Sequence, residues 1–175
     1  VGTYTESGAL RADQSNLSFS DVKVTAGGRW FGATADTFSV SGNFENLSEE
    51  YSWNTAHSTL RFVGGHTQNL YLAGFDAGAR PLGYIDNFAW GRFEIADGSS
   101  VVLRDGNDVS GGALYLGELV GADINGKVVT NITNVDNNRF DLYYNPALGA
   151  NAYLGGQSYV LSGGGQLRPV TVPVP

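Results

Sequence analysis

Thr59-Leu60-Arg61-Phe62-Val63-Gly64-Gly65 runs on to Leu70-Tyr71-Leu72-Ala73-Gly74. Shifted by 32, Gly91-Arg92-Phe93-Glu94-Ile95-Ala96-Asp97-Gly98 runs on to Val101-Val102-Leu103-Arg104-Asp105-Gly106. Shifted by a further 26, Gly117-Glu118-Leu119-Val120-Gly121-Ala122-Asp123 leads to Val128-Val129-Thr130-Asn131-Ile132. Each block reads strand, Gly/Asp turn, strand, and weaker copies lie at 38–47 and 140–153. Such a unit cannot bury its apolar face alone, and stacking it on its neighbours makes a continuous core. The expected fold is therefore all-β, a short β-helix-like solenoid of four or five coils, with a β-sandwich or jelly roll as the alternative.

Working outward, the strand signals are short β-branched and aromatic runs at 37–40, 59–63, 69–73, 92–95, 101–104, 113–116, 127–132, 139–144 and 158–161. Gly64-Gly65, Asp97-Gly98, Asp105-Gly106-Asn107-Asp108, Asn125-Gly126 and Asp136-Asn137-Asn138 punctuate them as turns. Helical periodicity is scarce. Residues 1–24 differ: they alternate polar and apolar side chains and end at Gly27-Gly28. This segment is expected to cap the body or to be a strand donated to another subunit. One all-β domain over 1–168 and a Pro/Val-rich tail over 169–175 follow.

Composition narrows the function classes. In 175 residues there are 25 Gly, 9 Tyr, 9 Phe and 3 Trp, but no Cys and no Met. A chain without Cys has no disulfide framework, thiol nucleophile or cysteine-held zinc. A formal charge of −7 repels phosphate backbones, so nucleic acid is not an expected partner. No apolar run reaches the length of a membrane span. Because the chain starts at Val1, removal of a signal peptide is expected.

The catalytic candidates weigh little. Glu94, Glu118, Asp97, Asp123 and Asp141 are the carboxylates a hydrolase would pair, and His66, Tyr71 and Arg61 the base, acid and clamp of a lyase. Most of these fall at turns or on outward faces, where they solvate the surface, and His57 offers no more. The expectation is no enzyme. Calcium is the one ion considered, with Asp105, Asn107, Asp108 and Asp136 as oxygen ligands on turns that match no calcium motif; no other cofactor is expected. Trp30, Trp53, Trp90 and Tyr143 are the candidates for stacking on sugar rings, against the commoner role of packing. In adjacent pairs such as Tyr143-Tyr144, one ring should face outward.

Thr59–Gly65, Asn87-Phe88-Ala89-Trp90-Gly91 and Gly111-Gly112-Ala113-Leu114-Tyr115-Leu116-Gly117 lead to a more specific block. That block is Phe140-Asp141-Leu142-Tyr143-Tyr144-Asn145-Pro146, then Asn151-Ala152-Tyr153-Leu154-Gly155-Gly156-Gln157-Ser158-Tyr159 and Leu161-Ser162-Gly163-Gly164-Gly165. Over about residues 59–175 the chain resembles bacterial exported proteins of the PEP-CTERM, exosortase-sorted type; nothing in 1–58 contributes. The resemblance implies export to the cell surface or biofilm matrix and a β-helix-like body, and it carries no catalytic residue. Pro169-Val170-Thr171-Val172-Pro173-Val174-Pro175 stands where the linker to the sorting signal would begin.

Together these readings predict a non-catalytic extracellular structural protein whose partner is itself. It would form a filament, surface layer or matrix by β-strand addition or end-to-end stacking. The expected subunit contacts are Val1, Tyr4, Leu17, Phe19, Val22, Val170 and Val172, and the alternative is a carbohydrate-binding adhesive module with polysaccharide as partner.

Overall fold

The computed structural model describes residues 2–107, 111–135 and 139–171. Seventeen strands lie among them. The first seven are β1 (Thr3–Glu6), β2 (Ala9–Arg11), β3 (Asn16–Phe19), β4 (Asp21–Val24), β5 (Arg29–Phe31), β6 (Thr37–Val40) and β7 (Phe44–Asn46). Next come β8 (Thr55–Phe62), β9 (Thr67–Leu72), β10 (Trp90–Ile95), β11 (Ser100–Asp105) and β12 (Ala113–Val120). The last five are β13 (Ile124–Asn125), β14 (Val128–Asn134), β15 (Asp141–Tyr144), β16 (Tyr159–Ser162) and β17 (Gln166–Pro169).

Pairing is mostly parallel and joins strands far apart in sequence. One ladder runs β1-β4-β7-β9-β11-β14-β16, and a second runs β3-β6-β8-β10-β12-β15-β17. Antiparallel pairing of β16 with β17, Tyr159 opposite Leu167, makes the two ladders one path of fourteen strands. β13 is added beside β14, and β2 pairs β5 separately. At the other end of the path β1 and β3 approach through their side chains, with the Tyr4 and Phe19 rings 5.0 Å apart.

These contacts correct the expected solenoid, and its sandwich or jelly-roll alternative. The protein is all-β, a single large, mostly parallel sheet nearly closed into a barrel. The reason lies in the last hairpin: Gly163, Gly164 and Gly165 all take positive φ, so β17 folds back on β16 and unites the ladders by hydrogen bonds. A Cβ at Gly163 would collide with the Asn134 carbonyl, which leaves glycine the residue for that corner.

Register follows the burial of large apolar side chains. The expected 26-residue shift is the one found, with Trp90 opposite Leu116 and Phe93 opposite Leu119. The expected 32-residue shift is off by one, since Phe93 lies opposite Leu60. A slip of one residue turns every side chain to the other face. Pairing at 33 rather than 32 avoids that, and Phe38, Leu60, Phe93 and Leu119 all lie fully buried in successive strands. At roughly 25 cal/mol per Å² of apolar surface removed from water, such stacked rows are the main stabilising term.

Trp30 is the hub at the N-terminal end. Its ring meets those of Tyr4, Phe19, Phe38, Phe44, Trp53 and Trp90 at 4.9–6.5 Å. Tyr143 does not face solvent as expected of one member of a Tyr-Tyr pair. The segment that includes the short 3-10 turn Pro81–Tyr84 folds over it, and Tyr115, Tyr143, Ala89, Ala113 and Val170 form a second, smaller core beneath that cover. Tyr115 stacks on Tyr143 at 4.6 Å. The Tyr143 hydroxyl donates to Asp76 Oδ1 at 2.8 Å, and the Ala77 N–H donates to the Tyr115 hydroxyl at 2.9 Å. Two phenols thereby pin the segment down.

Candidate functional site

The feature that sets this molecule apart from a closed sheet is the end formed by β1, β2 and β3. Each has one hydrogen-bonded neighbour, β4, β5 and β6 respectively. The pairing of each identifies its free groups, because successive residues of a strand point their N–H and C=O to alternate sides. The Glu6 carbonyl accepts from Thr25 N–H, the Gly8 carbonyl from Arg29 N–H, and the Phe19 carbonyl from Ser41 N–H. Alternation then turns the backbone groups of Thr3 and Thr5, Ala9 and Arg11, and Asn16 and Ser18 toward the open side. Both ladders run in the same order from this end, so the open sides of β1 and β3 face the same way.

The side chains along this edge alternate as strictly. Tyr4, Leu10, Leu17 and Phe19 point inward and pack on the core but are only half-buried, because no further strand covers them. Thr3, Thr5, Ala9, Arg11, Asn16 and Ser18 are exposed. The turn into β3 is held from below. The fully buried Asp36 carboxylate accepts from Ser15 N–H at 2.6 Å and from Ala33 N–H at 2.5 Å. The Tyr4 hydroxyl donates to Glu6 Oε2 at 2.6 Å; desolvation, with that carboxylate second, pushes its pKa up to about 12. The Arg11 guanidinium lies 4.0 Å over the Phe31 ring.

Natural sheet edges are protected by Pro, Lys, bulges or covering elements. Among the described residues β1, β2 and β3 carry no Pro, Lys, bulge or covering strand; what limits their edge is their length of four, three and four residues, with Glu6 and Arg11 as their charged residues. At the other end the situation reverses, since β16 and β17 each have a hydrogen-bonded neighbour on both sides.

Of the residues singled out for subunit contact, Tyr4, Leu17 and Phe19 lie together at this edge. Val22, in the next strand inward, is 1% exposed, and Val170 is 2% exposed under the 3-10 segment, so neither presents a surface. Val1 and Val172 lie outside the described residues. Sequence reasoning missed Leu10 and Thr5; the alternation in residues 1–24 carried the signal for both.

The other candidates are dispersed. Trp30, Trp53, Trp90 and Tyr143 are all under 5% exposed and packed against other rings, with no face free for a sugar. An open cavity of about 330 Å³ reaches Trp53, Tyr84, Asp86 and Phe88, beside the exposed Ile85. The Asn107 side chain donates to the Ser48 and Ala73 carbonyls, and Asp105 is exposed; Asp108 and Asp136 lie outside the described residues. Among the described residues no three His, Asp or Glu side chains group as metal ligands would.

The carboxylates considered for hydrolysis are engaged in ion pairs or stand apart. Arg92 spans Glu118 at 2.9 Å and Glu94 at 3.2 Å, and Arg61 reaches Glu94 at 2.9 Å, which makes an outward ladder of alternating charge. Asp141 accepts from Gln166 N–H at 2.7 Å and faces Arg168 Nε at 3.3 Å. Asp97 and Asp123 are exposed at turns. His66 meets the Gly64 carbonyl at 2.6 Å on an exposed turn; His57 is exposed, and Tyr71 is half-buried in β9. No helix among the described residues is long and apolar enough to cross a membrane. Comparison of the chain with protein-family models, with curated proteins and with solved structures finds no match.

Proposed function

We propose that this is a non-catalytic structural protein that associates with itself by β-strand addition at the edge made by β1, β2 and β3. The carrying observation is that three short strands at one end each have one hydrogen-bonded neighbour and leave backbone groups open beside half-buried Tyr4, Leu10, Leu17 and Phe19, with no covering strand among the described residues. Backbone pairing gives affinity to such a contact, and the alternating apolar side chains give it register. The resemblance to exosortase-sorted proteins supports placing the protein outside a bacterial cell, at the surface or in a matrix. A carbohydrate-binding role has less support, because the aromatic residues that would serve it are buried in the core.

Proline substitution tests this reading more cleanly than truncation, since deleting β1–β3 merely exposes β4, β5 and β6 as a new edge. Thr5→Pro and Ser18→Pro each remove an N–H that faces the open side and leave the internal ladder bonds in place. Sedimentation velocity over a wide concentration range should show association of the wild-type chain and a folded, monomeric double variant. A wild-type chain that stays monomeric at millimolar concentration overturns the proposal.

A further inference from the structure

We infer that the partner at the open edge is a second copy in a head-to-head, two-fold arrangement, and that this contact stops at two copies. The inference rests on the strand-addition reading and adds the geometry and the stoichiometry. The two ladders are open where they start and joined to each other where they finish. β1 and β3 each lack one neighbour, whereas β16 and β17 are closed against each other. A head-to-tail filament needs a free edge at both ends of every copy, and the strands that end each ladder at the far side have none.

Two identical open edges, by contrast, satisfy one another. Turning one copy over about an axis that lies in the plane of the edge and perpendicular to the strands reverses the sense in which its strands run. The strands that meet are then antiparallel, whose hydrogen bonding is slightly better per residue than parallel pairing. The half-buried rings of Tyr4 and Phe19 and the side chains of Leu10 and Leu17 on one copy are covered by the same residues of the other, which is what an isologous contact requires. The edge is also self-complementary in charge, since Glu6 and Arg11 are of opposite sign and are the charged residues of its three strands. A copy with net charge −7 repels another over most of its surface, so contact is favoured where the charges balance.

Because the chain has no cysteine, single cysteines report positions without a background. Spin labels are placed at Ser18→Cys in β3, on the open edge, and separately at Val160→Cys, exposed in β16. Seven strands per ladder spaced by about 4.8 Å separate these levels by about 29 Å. In the two-fold pair, distances measured by double electron–electron resonance are short for Ser18, within about 30 Å, and beyond about 55 Å for Val160. Mass photometry should show dimers and nothing larger. Filaments, or equal same-site distances at the two positions, would overturn the two-fold pair while leaving strand addition standing. A monomer at every concentration would overturn both, and a folded Thr5→Lys, Ser18→Lys variant that still dimerises would move the contact off this edge and overturn the inference.

Discussion

The rings of Tyr4 and Phe19 lie 5.0 Å apart, tilted by 46°, although β1 and β3 are the opposite ends of the fourteen-strand path. Side chains thus join at this end what hydrogen bonds join at the other. Trp30, 6.5 Å from Tyr4 and 5.5 Å from Phe19, is the floor on which both rings rest.

That arrangement ranks three substitutions. Trp30→Ala removes a fully buried side chain and should cost about 3–5 kcal/mol. Phe19→Ala and Tyr4→Ala remove half-buried rings and should cost roughly 1–2 kcal/mol each. Urea unfolding in dilute protein measures all three. Equal losses at Phe19 and Trp30 would mean that the seam is as well covered as the core.

Gln68 tests the role of buried amides. It is fully buried; its Nε2 donates to the Val40 and Gly42 carbonyls at 3.0 and 2.6 Å, and its Oε1 accepts from Gly64 N–H at 3.0 Å. Gln68→Leu keeps most of the volume and leaves these backbone groups unpaired. A loss of about 2–4 kcal/mol is expected, close to that of Gln68→Ala. If Leu is tolerated and Ala is not, packing rather than hydrogen bonding holds the corner.

Two glycines with similar backbone angles should respond differently. Gly121 has φ 79° and a Cβ there would run into the Ile95 carbonyl, while Gly126 has φ 62° with open space around it. Gly126→Ala should cost about 1 kcal/mol and Gly121→Ala more than about 2 kcal/mol. Thermal unfolding of the pair separates backbone strain from collision.

High pH should unfold the protein through its tyrosines. Burial first, with Tyr159 next, pushes Tyr144 up to about 12; Tyr84, Tyr115 and Tyr143 are raised further, again chiefly by burial. A folded pKa above the unfolded value of about 10 gives stability that is complete below pH 10 and lost as pH rises through 12. Absorbance of ionised phenol at 295 nm should therefore lag behind that of model tyrosine and rise together with the loss of circular dichroism. Normal titration of all nine tyrosines without unfolding would contradict the buried phenols.

Short runs such as Thr37–Val40 and Ala113–Leu116 declare themselves as strands, since β-branched and aromatic residues between Gly and Asp turns fit a pleated, half-buried surface. All nine expected runs contain strands. The missed strands β5 and β17 are three and four residues long. Asn is a common turn residue, yet Asn87, Asn131, Asn134 and Asn151 are each buried with the side chain bonded to backbone. Composition cannot separate the two roles because the same amide serves both. Tyr143 misled for a different reason: its outward face is covered by a segment that also carries Asp76, 67 residues away.

The amino-acid order by itself determined that this protein is all-β, where most strands lie, that stacked units repeat at 26 residues in one place, and that residues 1–24 alternate like an edge. Those are local properties, fixed by side-chain period and turn chemistry within a few residues. Only the tertiary structure decided that β16 turns back on β17, that the ladders form one nearly closed sheet, and that the tryptophans are core. Each of those depends on which distant strands share hydrogen bonds, and no residue's neighbours in sequence specify that. The same long-range pairing leaves β1, β2 and β3 with one side bare.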